Sequence, residues 1–134
     1  MKNIEIHDLE KKADERGWLI EVLGGDLPEK CKDFGQLHVS VAYPGKVRGN
    51  HYHTRKVEWF CVPAGKGLLL LKDLETGETS EVMMGANNLK TIKIEPGAIH
   101  AIKNIGEEDM VLIVYSSEQF DPEDPDTFYE KILE

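Results

Sequence analysis

The chain has 134 residues and carries 25 acidic against 16 basic side chains, for a net charge of −9 and a sequence pI near 5.0. That length supports one hydrophobic core, and hydrophobic and charged fractions of 40% and 31% belong to a folded chain rather than a disordered one. Net acidity argues against non-specific nucleic-acid binding, and no apolar run approaches the ~20 residues that a membrane helix needs. Residues 1–7 have neither an apolar stretch nor a small-residue cleavage site, and two cysteines, Cys31 and Cys61, do not make a disulfide framework. A reduced, cytoplasmic protein is expected.

Helical periodicity is weak, and short β-rich runs recur instead. In chain order they are residues 18–23, 36–42, 57–62, 67–71, 79–84, 89–94, 100–104 and 110–116. Turn signals close them, among them Tyr43-Pro44-Gly45, Pro63-Ala64-Gly65 and Glu95-Pro96-Gly97. Strands at this spacing predict an all-β sandwich or barrel. Residues 9–14 and 126–133 read as short helical or irregular pieces. From Glu118 onward the tail has seven acids, one lysine, Pro122 and Pro125, and reads as an exposed strap over the outside of the barrel. The expected organisation is a single domain with its core at about 14–117 and an acidic strap at 118–134.

Residues 34–57 contain no acid and four bases, Lys46, Arg48, Arg55 and Lys56. Of the three arginines in the chain, Arg16, Arg48 and Arg55, two lie in this island. Its bland interpretation is a solvated face; its sharper one is an anion site, because the planar guanidinium fork suits phosphate oxygens. The same stretch holds His51 and His53. Alternate residues of a strand share a face, so these imidazoles project together. Glu58 is expected on that face as well, across a turn that can reset the parity, with Val57, Trp59 and Cys61 on the other, where Cys61 packs rather than reacts. His100, just after the turn at Pro96-Gly97, supplies a third imidazole. Three neutral imidazoles and a carboxylate are borderline ligands for Zn, Fe, Mn, Ni or Co, and they leave positions open for water or substrate.

The spacing Gly45-x5-His51-x-His53-x4-Glu58-x6-Gly65 resembles the first motif of the cupins. Pro96-Gly97-Ala98-Ile99-His100-x3-Asn104 resembles the second, with Pro96 directly before Gly97 where the usual pattern has a residue between. The resemblance implies a double-stranded β-helix, or jelly-roll barrel, with one divalent metal, Zn first among the candidates, on His51, His53, Glu58 and His100. Three further stretches narrow it. Asp14-Glu15-Arg16-Gly17-Trp18 and Arg48-Gly49-Asn50-His51-Tyr52 resemble dTDP-4-dehydrorhamnose 3,5-epimerases. The run from Phe120 through Thr127, with Phe34-Gly35-Gln36, is similar to the C-terminal cupin domain of the bifunctional capsular polysaccharide synthesis enzyme.

This resemblance implies an epimerase, or a related ketoisomerase, acting on a nucleotide-linked 4-keto-6-deoxy sugar in surface polysaccharide biosynthesis. It assigns Arg16, Arg48 and Arg55 to the diphosphate. In the rhamnose epimerases the histidine at the position of His51 is the base and no metal is used; a metal-bound His51 is not free for that role. Lys56, which matches a lysine of the capsular cupin domain, then becomes the base, and a neighbouring cation disfavours its ammonium form. Tyr115, near a catalytic tyrosine of the rhamnose epimerases, becomes the proton donor. The resemblance also implies a homodimer; a separate reductase is a candidate partner that this chain, with no Gly-rich dinucleotide loop, does not itself reveal. Two other classes fit the same residues: a non-catalytic sugar-binding or assembly cupin, and a metal-dependent oxygenase.

Overall fold

A computed structural model describes residues 1–15, 17–23 and 33–134, so Arg16 and Cys31 lie outside the described residues. The described chain is all-β. In order the strands are β1 (Ile4–Asp8), β2 (Lys12–Asp14), β3 (Gly17–Leu19), β4 (Gln36–Ala42), β5 (Val47–Tyr52), β6 (Glu58–Ala64), β7 (Lys66–Asp73), β8 (Thr79–Gly85), β9 (Lys90–Ile94), β10 (Ala98–Asn104), β11 (Met110–Ser116) and β12 (Phe128–Tyr129). No helix long and apolar enough to cross a membrane occurs among the described residues.

Two five-stranded antiparallel sheets face each other, in the orders β1-β9-β6-β11-β4 and β12-β5-β10-β7-β8; β2 and β3 form a separate hairpin. Sequential strands fall largely in opposite sheets, which is the winding of a jelly roll. β7 shows why these segments are strands: its burial alternates residue by residue, with Leu69 and Leu71 facing inward. These two, with Met84, Ile92, Ile94, Ile102 and Met110, build the core between the sheets.

β4 and β11 have the expected bounds of 36–42 and 110–116. The remaining expected runs match strands to within a few residues at their ends, except 18–23, which contributes only to the short β3. Two expectations change. Residues 12–14 form a strand rather than a helical piece, and the first sheet begins at Ile4, ahead of the expected core. The tail is not only an outer strap: Phe128 and Tyr129 pair with Tyr52 and His51, adding an edge strand to the second sheet.

β5 carries the irregularity that shapes the site. Against β10 the register steps from His100↔His51 to Ala101↔Gly49, leaving Asn50 as an extra residue in a bulge. Gly49 is required there: its φ is +101°, and a Cβ would lie 2.7 Å from the His100 carbonyl oxygen. Asn50, also at positive φ, turns its side chain to the tail, accepting the Ile132 and Leu133 N–H groups and donating to the Leu133 carbonyl.

Candidate metal and sugar site

Rungs of paired strands place the cluster. On the inner face of the first sheet Glu58 pairs with Ser116, and Ser116 with Gln36; one rung on, Phe60 pairs with Val114 and Val114 with His38. From the opposite sheet β5 delivers His51 and, just past its end, His53, while β10 delivers His100. One candidate ligand atom from each of His51, His53, Glu58 and His100 lies within 4.8 Å of the others. The three rings form a tight triangle, with centroids 4.7 Å (His51–His100), 5.1 Å (His51–His53) and 5.3 Å (His53–His100) apart. As expected, Val57 and Trp59 lie away from the histidines, in a separate apolar cluster. Cys61 is buried, and burial pushes its thiol up to about 11, the behaviour of a packing cysteine.

Hydrogen bonds fix the imidazole tautomers. His53 Nδ1 stands 2.7 Å from the Asp126 carbonyl oxygen and His100 Nδ1 stands 3.0 Å from the Ala98 carbonyl oxygen. A carbonyl only accepts, so both Nδ1 atoms donate. In the neutral rings both Nε2 atoms are then lone pairs, and both converge on Glu58 Oε1, at 2.9 Å and 3.3 Å. His100 Nε2 is buried without a hydrogen bond of good geometry. Two lone pairs aimed at one carboxylate oxygen require positive charge among them, either protons or a cation. Glu58 is itself oriented by Ser116 Oγ, which donates to Oε2 at 3.0 Å. Burial works to raise the Glu58 pKa, but positive charge shared with His100 and His53 outweighs it and holds the carboxyl well below the usual range. For His51, burial and then the neighbouring His100 and His53 lower the pKa to about 3, so its ring is neutral and its lone pair free. The donor set, imidazoles whose Nδ1 atoms are held by main-chain carbonyls plus one ionised carboxylate, fits a borderline divalent metal.

His51, His53 and Glu58 of the cluster line a cavity of about 390 Å³. Lys56 also lines it, is 5% exposed, and has no carboxylate partner among the described residues; its Nζ lies 5.8 Å from the centre of the Phe120 ring. Arg48 lines the cavity too, with its Nε donating to the Val41 carbonyl at 2.9 Å and the rest of its guanidinium exposed. The bulge is what allows both Arg48 and His51, three residues apart, to face the same space.

Two expected site residues are not brought to the cavity. Tyr115 alternates with Ser116 and Val114, and those two face inward; its ring packs with Val57 and Trp59 on the other side, and its hydroxyl accepts the Gly35 N–H at 3.1 Å. Arg55 points into the tail, with Nη2 2.9 Å from Glu118 and 3.3 Å from Asp124, so its guanidinium is engaged by carboxylates rather than open to a phosphate. Arg16 falls outside the described residues.

Two residues at the site were not anticipated. Ser116 carries no motif signal, although its strand parity with Glu58 is readable once the pairing is known. Asp126 is buried at φ 49° and takes hydrogen bonds from the loop after β5. Burial raises its pKa, but bonds from Thr54, Lys56 and Arg55 prevail and hold the carboxyl below its ordinary value.

The polysaccharide biosynthesis C-terminal domain model matches residues 12–128. The chain belongs to this family. It is 34% identical over 122 residues to a UDP-2-acetamido-2,6-beta-L-arabino-hexul-4-ose reductase of Pseudomonas aeruginosa, an alignment that takes in 91% of this chain and 31% of the reductase. It is 35% identical over 130 residues to a probable low-salt glycan biosynthesis epimerase of Haloferax volcanii, covering 92% of this chain and 83% of that protein. The crystal structure of the capsular polysaccharide assembling protein CapF from Staphylococcus aureus superposes with a TM-score of 0.72 at 35% identity, over 92% of this chain and 34% of that one. The chain therefore spans about a third of the length of the reductase and of the capsular protein. A dTDP-6-deoxy-D-glucose-3,5-epimerase from Legionella pneumophila shares the cupin fold, with a TM-score of 0.81 at 20% identity over 96% of this chain and 73% of that one.

Proposed function

We propose that this cupin binds one divalent cation, Zn in first place, on His51, His53, Glu58 and His100. On the same reading it acts on a nucleotide-linked 4-keto-6-deoxy sugar as an epimerase in polysaccharide biosynthesis, with ketoisomerisation as the related alternative. The observation that carries this reading is the convergence of three imidazoles and Glu58 on one point of a cavity that also holds a buried lysine and an open arginine. The names of the two relatives, a probable glycan biosynthesis epimerase and a UDP-hexulose reductase, agree with it.

A cation bound there would supply Lewis-acid polarisation of the keto oxygen. The chain's own residues do the rest. Ser116 and the Asp126 and Ala98 carbonyls hold the ligands in position. Lys56 takes the proton α to the ketone, and inversion is completed when a donor on the opposite face of the enolate returns a proton. Arg48, at the cavity wall, holds a phosphate oxygen of the diphosphate through the N–H groups that have no partner among the described residues. A separate reductase would then consume the 4-keto product, in the cytoplasm where the free thiol of Cys61 is at home.

The test is proton exchange. The chain incubated in D2O with dTDP- and UDP-linked 4-keto-6-deoxy sugars is expected to incorporate deuterium at the carbon next to the ketone. Binding of these sugars with no incorporation from either overturns the epimerase reading and leaves a non-catalytic sugar-binding cupin.

The expected homodimer has a specific surface. β4 is inverted: Gln36, His38 and Ser40 face the cavity, while Leu37 and Val39 stand 57% and 62% exposed on the outside, with Phe34 and Tyr43 beside them. Among the described residues it is an edge strand, and residues 34–43 carry no charge in a chain of net −9. We place a second copy of the chain there, since a charge-free strip is where two like-charged copies meet without repulsion. Val39→Glu is expected to convert a dimer into a monomer by light scattering; a monomeric parent chain, or a variant that stays dimeric, contradicts this placement.

A further inference from the structure

We infer that Asp126 is a positioning residue that holds the metal ligand His53 and the base Lys56 in one geometry, making the C-terminal tail a working part of the site. The inference rests on the reading of the site given above.

The loop between β5 and β6, residues 53–57, belongs to no sheet, yet it carries His53 and Lys56 and leads into Glu58. One residue from the tail fastens most of it. Asp126 Oδ1 accepts the Thr54 N–H at 2.9 Å and the Thr54 hydroxyl; Oδ2 accepts the Arg55 N–H at 2.9 Å and the Lys56 N–H at 3.0 Å. Its carbonyl accepts His53 Nδ1–H at 2.7 Å. Four consecutive residues thus depend on Asp126, which is 3% exposed.

The other ties explain less. The Gly97 N–H reaches the His53 carbonyl, and Ser117 bonds both main-chain groups of Val57, but these anchor only the two ends of the loop. Arg55 with Glu118 and Asp124 is an exposed ion pair, weak and screened by salt. The left-handed φ of 49° at Asp126 aims carboxylate and carbonyl at the loop together, and among side-chain residues Asp and Asn tolerate that conformation best. Outer partners of metal-bound histidines orient the ring, and their loss typically lowers metal affinity by about 10–100-fold.

Asp126→Asn isolates the effect. Asparagine keeps the shape, the left-handed backbone and the carbonyl to His53, but sets an amide N–H₂ against main-chain donors. The chelator-treated full chain is titrated with Co²⁺, read by its visible absorption, with circular dichroism as the check on the sheets. The expected result is a Co²⁺ affinity lower by about 10-fold, the low end of what loss of an outer partner causes because the carbonyl bond to His53 is kept, and a shifted absorption band, with the sheets intact. In the exchange assay kcat falls with KM unchanged, since positioning rather than binding is lost. Should Asp126→Asn fail to fold, Thr54→Val removes only the hydroxyl bond and is expected to shift the same band by a smaller amount. A folded Asp126→Asn chain, or in its place a Thr54→Val chain, with the parent's Co²⁺ affinity and spectrum overturns the inference alone. A parent chain that takes up no Co²⁺ overturns the metal reading beneath it.

Discussion

Lys56→Met is expected to slow deuterium exchange of the substrate by about 10²–10⁴-fold, the range that a positioned general base contributes. The lysine sits in the cavity wall two residues before Glu58, buried and without a carboxylate partner among the described residues. A structural lysine would be paired or would extend into solvent; a buried ammonium without a partner is unfavourable and is kept where function uses the amine. Methionine retains the length and apolar bulk of the stem, so the sheets and the metal content are expected to be unchanged and thermal stability held or raised. That combination, activity lost and stability kept, separates a proton-transfer role from a packing role. Parent-like exchange in Lys56→Met contradicts the assignment.

The second large effect concerns the carboxylate. Glu58→Ala removes the carboxylate on which the Nε2 atoms of His53 and His100 converge and leaves Ser116 Oγ without its partner. Metal affinity is expected to fall by more than ~100-fold, beyond what loss of an outer partner causes. Folding stability of the metal-free variant should also drop, by about 1–3 kcal/mol for buried polar groups left without partners. Metal content and thermal denaturation measured on the same sample check both. A variant with the parent's metal content contradicts the ligand assignment, because four ligands of this type do not lose their one charged member without consequence.

Much of this site was legible from residue order. His51 and His53 sit two apart, and strand alternation needs no tertiary information to place them side by side. Glu58 lies five residues past His53, an odd step that alternation alone would send to the other face; it reaches the cluster because the loop at 53–57 carries the chain into the opposite sheet, with Val57 and Trp59 turned away. The turn at Pro96-Gly97 announced the strand that carries His100. Strands closed by strong turns, such as β4 and β11, had readable bounds for the same reason.

What stayed hidden depended on partners far along the chain. Tyr115 is polar enough to suggest chemistry, but its face is decided by the register of β11 on β4 and β6, which puts Ser116 inside and Tyr115 outside. Arg55 belongs to a basic island until the tail arrives with Glu118 and Asp124. β12 pairs only two residues, too few for any periodicity, so residues 126–133 looked irregular. Asp126 reads as one acid among seven; its burial follows from bonds to a loop some seventy positions earlier. The inverted burial of β4 was equally silent, because alternation says that two faces differ but not which one meets the cavity.

The central claim is that His51, His53, Glu58 and His100 together hold a single cation. Elemental analysis of the chain, purified without added metal and dialysed against metal-free buffer, tests it most directly. The account predicts close to one transition-metal ion per chain, and a folded chain that carries none, and takes up none when Zn²⁺ is offered, would contradict it.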